Sequence, residues 1–92
     1  MQRQLHEERP WDPARLSVLG DTTNRIGRVR TEQGDLDGAL FAYRESRDYR
    51  RKLADLAPDV VEYRRALANT HMNEGLTEME LGVIRWNVLL SR

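Results

Sequence analysis

The chain has 92 residues, 39% hydrophobic and 33% charged, and its fifteen basic and fifteen acidic side chains cancel. That length allows one small domain, too apolar for a disordered chain and too polar for a membrane span. Zero net charge supplies no general field for nucleic acid or an anionic membrane, and the absence of cysteine excludes disulfides and thiolate metal sites.

The pattern is helical throughout, with no sustained period-2 alternation. Residues 1–9 read as the tail of a preceding helix. Trp11, beside Pro10, reads as packing at a helix start, with a binding anchor as the alternative. Asp12-Pro13 offers a capping side chain and a proline at the first helical position, so a helix is expected over 12–33. Within it Leu16, Leu19, Thr23, Ile26 and Arg30 return every three or four residues. Gly34 suits a left-handed stop and Asp35 the cap of the next helix, expected over 36–57 and ended by Pro58. Asp59 with Glu62 resembles a capping box opening a third helix over 59–81. Gly82 reads as its stop, leaving 83–91 as a short apolar C-terminal segment. Such helices with turns of two or three residues imply antiparallel neighbours.

The chain repeats itself at a shift of 48 residues. Arg3 falls on Arg51, Leu5 on Leu53, Pro10 on Pro58, Leu19 on Leu67, Thr22 on Thr70, Gly27 on Gly75, Glu32 on Glu80 and Gly34 on Gly82. The helix-stopping proline and the glycines fall in register, as expected of a repeat architecture. The second copy is eroded: Glu74 stands opposite Ile26, and Asn87 opposite Ala39.

Ile26-Gly27, followed by Gln33-Gly34-Asp35-Leu36-Asp37-Gly38-Ala39-Leu40-Phe41-Ala42-Tyr43, resembles the tetratricopeptide repeat family, in its bacterial long-period variety with an extended second helix. Gly27 matches the small residue that lets two helices approach, Ala39 the tightest crossing, and Tyr43 the aromatic that follows it. Where that family commonly has an aromatic in the first helix, this chain has Arg30. The resemblance implies an all-α fold of antiparallel hairpins in an α-solenoid, here three long helices plus a short C-terminal helix.

It also implies a concave groove lined by the first helix of each repeat. Its expected lining is Asp21, Asn24, Arg28 and Thr31 in the first copy, with Arg25 at the margin. In the second copy it is Asn69, Met72, Leu76 and Met79, with Asn73 at the margin. Asn24, Arg28 and Asn73 loosely resemble a clamp for a peptide carboxylate; solvated helix polars are the plainer reading. The expected function is therefore a scaffold that binds a peptide or helix of a protein partner. Trp86, Val88, Leu89 and Leu90 form an apolar strip that either folds back on the third helix or pairs with another copy, so a self-associating structural protein is the first alternative.

A regulatory nucleic-acid-binding protein is the second alternative, through a helix-turn-helix around Gly34 or the basic stripe Arg44, Arg47, Arg50, Arg51 and Lys52. Lys52 is the sole lysine among these. The arginine excess reads as codon bias of a GC-rich bacterial genome, with bidentate pairing as the sharper reading. Glu45, Asp48 and Asp55 interleave the stripe, making it a charge-laced solvent face with pairs such as Asp48–Lys52 and Arg51–Asp55. No catalytic, cofactor or metal site is expected. His6 and His71 are the only histidines, and His71 with Glu74 or Glu78 lacks a third ligand. Ser17, Ser46 and Ser91 have no base at meaningful spacing. No apolar leader or membrane-length run is present, so a cytoplasmic location is expected.

Overall fold

The computed structural model describes residues 12–91, all in helices or short connections. His6, Trp11 and the expected helix tail over 1–9 lie outside the described residues. Three helices follow one another: α1 (Pro13–Glu32), α2 (Leu36–Leu56) and α3 (Val61–Leu90). None is long and apolar enough to cross a membrane.

The α1–α2 turn is set by local chemistry. Gly34 has φ +80°, a left-handed geometry that costs a side chain-bearing residue about 1–2 kcal/mol. There the Asp35 amide bonds the Arg30 carbonyl at 2.9 Å and the Gly34 amide bonds the Thr31 carbonyl at 3.0 Å, satisfying the last carbonyls of α1. Asp35 Oδ1 then accepts from the Gly38 amide at 3.0 Å and opens α2. α1 starts at Pro13 without a side-chain cap, so the expected Asp12 cap is not made. Proline at the first helical position fixes that start by itself.

The expected capping box of α3 is not made either. After Pro58 the chain makes one more turn, with the Val60 amide on the Ala57 carbonyl at 3.1 Å. This turn consumes Asp59, and α3 begins at Val61 with no side-chain cap.

The larger correction concerns Gly82. It does not stop the helix: α3 is one uninterrupted 30-residue helix through Leu90, so the separate C-terminal segment over 83–91 does not exist. A glycine inside a helix costs only about 1 kcal/mol. Gly82 keeps an ordinary φ, and Val83 after it offers no cap of the kind Asp35 gives after Gly34.

α2 is the middle helix and packs against both neighbours, antiparallel to each. Gly27 faces Tyr43 and Gly20 faces Arg50 across α1–α2. Arg50 reaches Ala66, and Arg44 reaches Glu78, across α2–α3. The apolar core is thin: Leu16, Ala39, Ala42, Tyr43, Leu53, Ala54 and Leu81. Gly27 and Tyr43 meet where α1 crosses α2, and Ala39 is buried one turn before Tyr43. A Cβ on Gly27 would lie 2.5 Å from Tyr43 Cε1, so only glycine permits that crossing.

Candidate interaction surface

Polar groups close the centre of the molecule. Ser46 Oγ donates to the Gly20 carbonyl at 2.7 Å. Arg50 donates to Thr70 Oγ1 at 2.7 Å, to the Ala66 carbonyl at 3.0 Å and to Asp21 Oδ1 at 2.9 Å. One guanidinium thus joins all three helices, and its Nε has no partner. Gly20 makes room for it, since a Cβ there would come within 2.8 Å of Arg50 Cγ. The sequence pattern placed Arg50 on a solvent-facing stripe; it is 8% exposed. Its reach lets it cross the interface, and the small side chains of Ser46 and Thr70 leave it space.

Other stripe arginines also turn to a neighbouring helix. Arg47 donates to Glu74 Oε2 at 2.8 Å, and Arg44 donates to Glu74 at 3.3 Å and to Glu78 at 2.8 Å. The hydrogen bond to Glu78, joined by Glu74, raises the Arg44 pKa above its ordinary value. Glu74, an eroded core position by sequence, is buried because two guanidinium groups neutralise it. His71 Nε2 lies 3.4 Å from Arg51. Among the described residues no three His, Cys, Asp or Glu side chains are grouped to hold a metal.

The expected groove residues therefore divide. On α1, Asp21 is bound to Arg50. Asn24 is buried and accepts from Asn73 at 3.3 Å. Thr31 donates to its own helix at the Gly27 carbonyl, 2.9 Å away. Of the imagined clamp, two members are bonded to each other, and Arg28 is exposed alongside Arg25. On α1, therefore, Asn24 and Thr31 are turned into the chain, while Asp21, Arg25 and Arg28 keep exposed surface. On α3, Asn69, Met72, Leu76 and Met79 are all exposed.

The α3 surface extends further than expected. Met72, Leu76, Met79, Val83, Trp86 and Leu90 are each 54–68% exposed. They recur at alternating steps of four and three residues, the heptad spacing of a helix seam. At 1.5 Å per residue the stripe is about 27 Å long. A depression of about 430 Å³ lies on it, lined by Leu76, Met79, Glu80, Val83 and Ile84. Val88 and Leu89 are exposed beside its end, so the C-terminal strip does not fold back on α3. The seam was readable in the sequence, but a helix stop assigned to Gly82 cuts it in two.

Glycine contacts distinguish the two copies of the repeat. The 48-residue shift carries Leu16, Gly20, Asn24 and Gly27, the buried residues of α1, onto Arg64, Ala68, Met72 and Gly75 of α3. Gly27 touches Tyr43. A Cβ on Gly75 or Gly82 would meet nothing within 4 Å. The α3 face equivalent to the one α1 presents to α2 is uncovered.

Among the described residues, fold and surface together define three α-helices, the last of which leaves an apolar face open. No protein-family model, curated protein or solved structure matches the chain.

Proposed function

We propose that this chain is a protein–protein interaction module of tetratricopeptide type, in which the α1–α2 hairpin holds α3 as a platform for an amphipathic helix of a protein partner. The heptad stripe from Met72 to Leu90 carries this reading. An exposed contiguous apolar face of this size marks an interaction site, and its spacing matches a helix rather than an extended peptide. The Gly34–Asp35 turn, the buried Ala39 and the Gly27–Tyr43 crossing support the family resemblance. A cytoplasmic setting fits the composition.

The nucleic-acid reading loses its basis in the basic stripe, because Arg44, Arg47 and Arg50 are engaged by Glu74, Glu78 and Asp21. Self-association has its own support in the apolar end of α3 and is taken up below.

A designed amphipathic peptide with leucine at every a and d position tests the module. Titrated into the protein, it should change Trp86 fluorescence, and Leu76→Glu should abolish the change. Equal binding by wild type and Leu76→Glu would show that α3 is not the surface.

A further inference from the structure

We infer that the partner of the α3 face is α3 of a second copy, running antiparallel, so that two chains pair about a two-fold axis near Gly82. This rests on the helix-binding reading above and names its partner.

Orientation follows from the internal repeat. On the equivalent face of α1 the occupant is α2, which runs antiparallel and lays Tyr43 over Gly27. An antiparallel α3 repeats that geometry on Gly75. Aligning the stripe with itself in this direction sets Met72 against the partner's Leu90, Leu76 against Trp86, and Met79 against Val83. Every apolar position thus meets another. The partner's Leu89 then lies over Gly75, and Gly82 meets its own copy. This gives a use to two mid-helix glycines that cost the isolated helix about 1 kcal/mol each and touch nothing in one chain. The flanking pair is polar, Asn87 with Asn73, whose side-chain amide also donates to Asn24 of its own chain. Glu80 faces its own copy at the exposed rim, where water and salt screen like charges.

The area is sufficient. Six side chains of this size, more than half exposed, offer on the order of 700 Å² per copy, against roughly 800 Å² per partner in a standard interface. The faces do not compete with the fold. Thr70, Glu74, Thr77 and Leu81 are the α3 side chains buried in the single chain, and none belongs to the stripe. The hairpins of the two copies end up at opposite ends of the paired helices.

Sedimentation equilibrium of the full chain at micromolar to hundred-micromolar concentration is the first test. A dimer is expected for wild type and for the control Val18→Glu, which places the same charge on the exposed surface of α1. Leu76→Glu should be monomeric. Gly75→Ala should weaken the dimer about tenfold through contact with the partner's Leu89. Helix propensity alone would act in the opposite direction, which separates a contact effect from a folding effect.

The absence of cysteine makes orientation accessible. Met79→Cys mixed with Val83→Cys under a glutathione redox buffer should give chiefly the mixed disulfide. A predominance of like-with-like disulfides would overturn the antiparallel arrangement. A wild-type monomer at the highest concentration would overturn self-association. Such a monomer that still binds the designed leucine helix leaves the interaction-module reading standing; one that binds nothing removes both.

Discussion

Gly27 and Tyr43 make the closest helix approach among the glycine contacts of the chain: the missing Cβ would stand 2.5 Å from the ring. Gly27→Ala should therefore displace Tyr43 and cost about 1–3 kcal/mol, the range for overpacking a filled site. Thermal unfolding followed by circular dichroism measures this. The change should also disturb Thr31, whose hydroxyl lies 3.4 Å from the Tyr43 hydroxyl. Unchanged stability would mean that α1 and α2 cross elsewhere.

Arg50 invites the second prediction. Arg50→Met keeps much of the volume but strips Thr70, Asp21 and the Ala66 carbonyl of a charged donor. A loss of about 2–4 kcal/mol is expected from hydrogen bonds to a buried guanidinium. Arg50→Lys should recover only part of it, since one ammonium cannot span three directions. Chemical denaturation of the three proteins checks the order wild type, lysine, methionine.

The third concerns the Gly34–Asp35 turn. Gly34→Ala should cost about 1 kcal/mol because the left-handed φ is retained. Asp35→Ala should cost about 1 kcal/mol through loss of the Gly38 cap. Asp59→Ala, which removes a side chain from a turn where it caps nothing, should leave the melting temperature within experimental error. Comparable losses at Asp35 and Asp59 would contradict the structure.

This contrast shows what local sequence discloses. Gly34 followed by Asp35 states both a stop and a start within two residues, and Pro58 forbids continuation, so the hairpin was legible. Gly82 carries half of that signal. With Val83 behind it the backbone keeps helical geometry, and the reading fails. Arg50 and Asn24 escape a sequence reading for a different reason. Each is polar, and periodicity assigns polar residues to solvent. Their burial depends on partners sixteen or more residues away, which one helix cannot announce. The candidate surface was half legible: Met72, Leu76 and Met79 were named, but their continuity with Trp86 and Leu90 emerges only once α3 is seen as one helix.

A fourth prediction addresses Glu74. Glu74→Gln removes the charge that holds Arg44 and Arg47 while preserving shape. The loss should be about 1–2 kcal/mol, since the carboxylate is buried and accepts two charged donors. The gap between wild type and Glu74→Gln should narrow modestly in high salt, because the arginines are partly exposed and screening reaches them. Denaturation midpoints at low and high ionic strength give the comparison.

The guanidinium at the centre also governs how the molecule comes apart. A helix that frays from an oily core leaves behind groups indifferent to which neighbour they touch. Here, peeling α1 away takes Asp21 from Arg50, and peeling α3 away takes Thr70 and the Ala66 carbonyl, so either departure breaks charge-assisted hydrogen bonds of the same side chain. Partial opening is thereby penalised more than the thin core alone would suggest. The hairpin and the first half of α3 should exchange their amide hydrogens as one cooperative unit.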